Sequence, residues 1–508
     1  MDKKIADRKN FEIFLLIAVF IISTCGLVYE LVAGALASYL LGDSVKQFSF
    51  VIGIYLFSMG VGSYFAKFIK NNLMDRFIEI ELLIGIIGGT SAVILFVLFQ
   101  EVQHFQFILY FFVFLTGCLA GMEIPLLMNI LKDRVEFREL VSNVFTFDYI
   151  GALIASVLFP ILLLPKLGVM GTSLFFGMIN ISVGIVLCFY LKKELVHPIQ
   201  LKLKSIGCFI ILLVTFIYSA DILKYSENEL YSNTVVYTHS TQYQRIVLTE
   251  DRGTFQLFLN NNLQFNSKDE YRYHETLVHP AMSVAKNPEK ILVLGGGDGL
   301  AAREILKYPS VKKVVLVDLD EGMTKLFQTN ELLTNYNQNS LNDPRLSIVN
   351  TDAFIWVKEN KDKFDVIIID FPDPSNYSLG KLYTNNFYRS LNQSMKQETI
   401  VAVQTTSPFF APKSYWCIAQ TIASIYPNNK PYHTYVPSFG EWGFSLFSPD
   451  MKINLDRVIN RVNGLKFYDY NLKKFTDFPE DMGPRPVEIN RLDNQILVRY
   501  FDEEWSKI

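Results

Sequence analysis

The sequence predicts two parts. The first is an all-α, multi-span membrane bundle. The second is an α/β Rossmann-like domain preceded by a small antiparallel β unit. Three observations predict this. Long apolar runs crowd residues 1–225. Charge is uneven, with 17 Lys/Arg and 16 Asp/Glu in residues 1–225 but 30 and 34 in residues 226–508. A strand, glycine turn, helix and second strand follow one another from Ile291. The expected boundaries are 1–225 for the helical domain, 226–286 for the β unit and 287–508 for the Rossmann-like domain.

Composition sets the outer limits. The chain has 508 residues, 50% of them hydrophobic and 19% charged. That excludes a disordered chain, a fibre and a small disulfide scaffold. A net charge of −3 gives no nucleic-acid-binding surface. Cys25, Cys118, Cys188 and Cys208 lie in apolar stretches and only Cys417 lies in the polar half, so neither a disulfide framework nor a cysteine metal site is expected. The first apolar run continues past Glu30 without a small-residue cleavage signal, so a cleaved leader is not expected.

A membrane span needs about 20 mostly apolar residues. Seven runs qualify: 11–33, 48–69, 78–99, 105–131, 146–165, 169–191 and 203–220, the last being the shortest. Lys/Arg gather at Lys3–Lys9, Lys67–Arg76, Lys132–Arg138 and Lys192–Lys204, which sets the N-terminus in the cytoplasm. Seven spans would then put the polar half outside and six would keep it inside. Glu30, Glu123 and Asp148 sit in or near these runs, where charge is costly and a functional role is the default. Gly117 and Gly121 have the spacing that permits close helix contact.

In the polar half, Val235–Thr238, Arg245–Thr249 and Phe255–Leu259 read as short strands. Ile291–Leu294 reads as a buried parallel strand. Gly295-Gly-Gly-Asp-Gly299 follows, then the helical spacing of Leu300–Tyr308, then Val314–Val317 ending in Asp318-Leu-Asp320. This is the layout of a nucleotide site, with an acid about twenty residues on, placed to bond ribose hydroxyls. Gly295, Gly297 and Gly299 let the backbone approach the ligand. Asp298 inside the turn repels a pyrophosphate and attracts a cation, which points to a cationic nucleoside such as an S-adenosyl sulfonium. Asp352, with Ala353, and then Asp370 and Asp373 follow two further predicted strands. Five acids at one sheet edge suit a polycation.

These residues resemble the spermidine synthase family of polyamine aminopropyltransferases, and most closely its membrane-fused group. The resemblance rests on Tyr243–Ile246, Leu263-Gln264, Asp269–Glu275, His279-Pro280, Gly295–Glu304, Asp318–Asp320, Asp352-Ala353 and Asp370–Pro374. It implies a methyltransferase-like domain that moves the aminopropyl group of decarboxylated S-adenosylmethionine to a diamine, commonly putrescine. The products would be spermidine and methylthioadenosine. It implies Asp370 as general base and Asp373 as an amine holder. Gln244 would touch the nucleoside, Asp318 the ribose, and Asp352 with Ala353 the adenine. Asp298 would hold the donor's ammonium. Tyr273 and His274 would line the amine site, and Gln264 belongs to the second glutamine motif of the site. No metal or cofactor is implied, because the nucleoside is a co-substrate.

The chain also departs from the family pattern. Asn261-Asn262 replaces the usual Asp-Gly turn, and Lys413 stands where soluble members often carry an acid. Glu441 is the candidate replacement for that acid. Two other classes fit the same residues: a methyltransferase using S-adenosylmethionine, and a polyamine transporter or sensor with a non-catalytic binding domain. The expected location is the cell membrane, multi-pass, with the catalytic domain on the cytoplasmic side where the donor is supplied. The expected partners are the two substrates and the lipid bilayer, with a homo-oligomer left open.

Overall fold

The computed structural model describes residues 2–41, 44–102, 104–132, 137–223, 231 and 233–506. Contacts divide the chain into two compact units, Met1–Thr249 and Glu250–Ile508. The segment expected as a β unit straddles that division.

The first unit is helical: α1 (Asp2–Leu41), α2 (Ser44–Ala66), α3 (Leu73–Glu101), α4 (Phe105–Leu131), α5 (Phe137–Leu158), α6 (Leu164–Tyr190) and α7 (Pro198–Ile217). All seven expected runs fall on these helices. Counted by length and composition, six stretches are long and apolar enough to cross a membrane, two of the expected runs falling within one of them. The reason is local. A π-helical turn, Phe159–Leu163, welds α5 to α6 into one candidate of 50 residues, Val141–Tyr190. At about 1.5 Å per residue that is far longer than one crossing of about 30 Å. The chain bends within it at Gly168, whose φ is 66°.

Helix α2 packs on α4, α3 on α6, and α1 on α5 and α6. Small residues set these distances. Gly62, Gly117 and Gly121 leave no room for a Cβ against the backbone of the facing helix. Large apolar side chains such as Phe57, Phe111, Ile161 and Ile199 point outward and are exposed. Two short strands, β1 (Thr234–Ser240) and β2 (Arg245–Asp251), end this unit, with β2 running across its boundary.

The second unit opens with a hairpin of β3 (Thr254–Leu259) and β4 (Asn262–Asn266). Its two-residue turn is Asn260-Asn261, with φ of 47° and 68°. The turn therefore sits one residue earlier than the expected Asn261-Asn262, with Asn262 already in β4, and asparagine tolerates its left-handed backbone.

Helix α8 (Glu270–Val284) leads into a seven-stranded sheet. Its strands are β5 (Lys290–Gly295), β6 (Lys313–Asp318), β7 (Leu346–Asn350), β8 (Phe364–Asp370), β9 (Met395–Gln404), β10 (Lys430–Val436) and β11 (Gly440–Phe447). The spatial order is β10-β11-β9-β8-β5-β6-β7. The five strands from β9 to β7 are parallel, and the β10–β11 hairpin adds an antiparallel edge. Ile291–Leu294 and Val366–Ile368 are wholly buried, as central strands covered on both faces require. The chain leaves β5 toward β6 on one side and returns to β8 on the other. The crevice beyond the carboxyl ends of β5 and β8 is therefore the topological switch point.

Beyond residue 450 the chain has little regular structure before α16 (Ile496–Trp505), which packs on α15 (Pro412–Ala423). Glu275 ties this segment to α8: its carboxylate accepts the backbone N–H groups of Lys466, Phe467 and Tyr468 at 2.8–2.9 Å. All five cysteines are free, four of them buried.

Candidate active site

Backbone geometry builds the site first. Gly295 pairs in register with Asp370 across β5 and β8, and the Gly296 N–H donates to the Asp370 carbonyl at 3.2 Å. Gly295, Gly296 and Gly299 all have positive φ, and a Cβ on Gly295 would collide with the Asp370 backbone. The glycine turn is thus folded directly over the end of β8. At the next strand, the Gly297 N–H donates to Asp318 Oδ2 at 3.1 Å. The Asp320 N–H holds the other oxygen at 2.9 Å.

Side chains then converge. The Tyr273 hydroxyl, from α8, donates to Asp370 Oδ1 at 2.6 Å. Burial and the Asp370 charge push the Tyr273 phenol well up, so it stays a donor. Burial raises Asp370 above the ordinary aspartate range, while the nearby His274 and the Tyr273 bond pull it back. Burial also lifts Asp298 and Asp318 to about 6 and Asp373 to about 7. Each of these four acids keeps part of its surface accessible. A Rossmann-like switch point ringed by four carboxylates attracts a cation.

His274 adds a cationic group near these acids. Burial alone would lower its pKa, but the Glu270 carboxylate 2.7 Å away, with Asp298 and Asp370 nearby, lifts it to about 9. Glu270 is held in turn by Arg303 at 3.0 Å and by the Tyr336 hydroxyl at 2.8 Å. Glu304 joins this network, bonding Arg303 at 2.9 Å and His279 Nε2 at 2.9 Å. The roles of Glu270, Arg303 and Glu304 were not read from the sequence. Their signal was present, because a charged residue on a helix face that buries everything else needs a buried partner.

Other expected residues have partners of their own. Asp352 caps the helix Ala353–Glu359 through the Phe354 N–H at 2.8 Å, and its second oxygen meets Lys381 Nζ at 2.6 Å. Ala353, beside it, is buried. Gln264 on β4 donates to the Asn262 carbonyl. Gln244 belongs to the first unit, where its N–H and carbonyl bond Thr241. The Glu441 carboxylate binds His433 Nδ1 at 2.8 Å. Lys413 stands at the start of α15, its ammonium 5.8 Å from the centre of the Tyr500 ring. Sequence reasoning also missed Gln404, at the end of β9, which donates to the Tyr383 hydroxyl at 2.6 Å. It missed the rings of Phe439, Trp442 and Phe444 too, whose centres lie 5.3–6.5 Å from that of Tyr273.

Residues 270–457 match the family model described as spermine/spermidine synthase domain. A polyamine aminopropyltransferase of Leptospira interrogans is 50% identical, over 97% of this chain and 99% of that one. Polyamine aminopropyltransferase 2 of Ralstonia nicotianae is 47% identical, over 97% and 98%. A crystal structure of spermidine synthase with the transition-state analogue AdoDATO is 26% identical, covering 54% of this chain and 89% of that one, with a TM-score of 0.45. Near-complete coverage at half identity leaves no large part of the chain outside the match. The chain is a transferase and belongs to the polyamine aminopropyltransferase family.

Proposed function

We propose that the enzyme transfers the aminopropyl group of decarboxylated S-adenosylmethionine to putrescine. The observation that carries this reading is the Tyr273–Asp370 bond, set in a ring of carboxylates at the switch point. The donor's sulfonium activates the adjoining methylene, so no metal or cofactor is required. The amine nitrogen attacks that methylene; the new N–C bond forms as the C–S bond breaks, and methylthioadenosine leaves. An alkyl ammonium with a pKa near ~10.4 costs roughly 4–5 kcal/mol to deprotonate at neutral pH. Asp370 accepts that proton and positions the nucleophile. Asp318 is assigned to the ribose, Asp298 to the donor's ammonium, Asp373 to the acceptor, and Asp352 with Ala353 to the adenine.

The six apolar stretches and their outward-facing apolar side chains support insertion in the cell membrane. The supply of donor favours a catalytic domain on the cytoplasmic side.

Asp370→Asn tests the assignment of the base. Donor and amine should still bind, measured by equilibrium dialysis, while turnover falls about 10²–10⁴-fold. Full turnover in this variant would remove Asp370 from the chemistry.

A further inference from the structure

The helical unit buries acids that transfer chemistry does not use. Glu81 on α3 is wholly buried, and Asn180 on α6 donates to its carboxylate at 3.2 Å. Asp148 on α5 accepts from Ser23 on α1. Cys25 and Tyr29, one turn apart on α1 and both buried, lie within electrostatic reach of Glu81 and Glu123. Tyr55 on α2 lies in the same reach of Glu30, Glu123 and Asp148. The groups on α1, α3, α4 and α5 thus face one interior region.

Buried polar groups are normally satisfied. Here the Tyr29 hydroxyl, Glu81 Oε1, Glu123 Oε1 and Asn180 Oδ1 are buried without a hydrogen-bond partner. Tyr29 is only 3% exposed, and its ring lies against Gly88 on α3. Among the described residues, the ion pairs of this unit fall on Glu79, and no lysine or arginine pairs with Glu30, Glu81, Glu123 or Asp148. Carboxyl groups left unpaired inside an apolar bundle are costly, and a functional site is the default reading of them. No set of three among the described residues is gathered as a metal ion needs. A flexible cation whose charges are separated by methylenes can reach acids on different helices that a point charge cannot gather.

We propose that the interior of the helical unit binds a linear aliphatic polyamine, at a site centred on Tyr29, Glu81 and Glu123 and separate from the catalytic crevice. The ligand class rests on the aminopropyl-transfer reading. The site handles the same chemical class as the reaction, so it can hold substrate or product within the bundle.

The test uses purified full-length protein in detergent and equilibrium dialysis with radiolabelled spermidine. Methylthioadenosine release is read in the same preparation. The proposal predicts two spermidine equivalents per chain in the wild type and one in Glu81→Gln/Glu123→Gln, with transfer rates within about twofold. The same stoichiometry in both proteins would overturn it. If the double variant does not fold, Tyr29→Phe replaces it, and the proposal then predicts at least a fivefold weaker second site. An unchanged second site in Tyr29→Phe would also overturn it. Calcium should not compete at equal charge concentration; full displacement by calcium would mark a metal site and reject the polyamine. Absence of transfer in the wild type is a separate result, against the catalytic reading alone.

Discussion

The Tyr273 hydroxyl sits 2.6 Å from Asp370 Oδ1 and donates to it. One residue ends a central strand and the other projects from the helix that precedes the sheet. The bond therefore fixes the proposed base at the point where the strand order reverses. Replacing Tyr273 by Phe removes the donor and keeps the ring. A hydrogen bond to a charged group contributes about 1.5–3 kcal/mol, so kcat/KM should fall roughly 10–150-fold. Tyr273 also lowers the Asp370 pKa, so its loss raises that value. The rise of activity with pH should start at higher pH in the variant, as a pH–rate profile would record.

Donor binding should depend on pH through Asp298. Burial holds this acid at about 6. Only its carboxylate attracts the donor's ammonium, so KM for the donor should fall as pH rises from 5 to 7. Asp298→Asn should raise that KM about 10–100-fold, on the same hydrogen-bond scale, and flatten its pH dependence. Asp318, also near 6, will leave a residual slope.

Gly297 is required for its lack of a side chain. A Cβ there would stand 2.7 Å from Asp318 Oδ2. Its φ is ordinary, so Gly297→Ala should fold with a near-normal melting temperature. The displaced Asp318 should cost the donor at least tenfold in KM, with kcat less affected, as steady-state kinetics would show.

His274 links protonation to stability. Its folded pKa of about 9 lies above the unfolded value near 6.5. The stabilisation from its protonated form is complete below pH 6.5 and is lost as pH rises through 9. Glu270→Gln removes the carboxylate that raises the imidazole. Thermal melts from pH 6 to 9.5 should show a stability loss in the wild type that is much smaller in the variant.

Much of the site was legible because acids at the ends of predicted parallel strands must share one edge. Asp298, Asp318, Asp370 and Asp373 were found that way. Glu81 was not, because its partner Asn180 lies 99 residues further along the chain. The Glu270–Arg303 pair was missed for the same reason. Periodicity could not show the π turn that joins the expected runs 146–165 and 169–191 into one helical stretch. The place of Glu441 depended on His433, two residues from its register partner Tyr435, which only the β10–β11 hairpin brings near.

The central claim is aminopropyl transfer, and product analysis by mass spectrometry tests it most directly. Purified full-length protein is given decarboxylated S-adenosylmethionine with a panel of amines, beside S-adenosylmethionine controls. The account predicts methylthioadenosine together with spermidine from putrescine, and no transfer from S-adenosylmethionine. Consumption of neither donor, or a methylated product from S-adenosylmethionine, would contradict it.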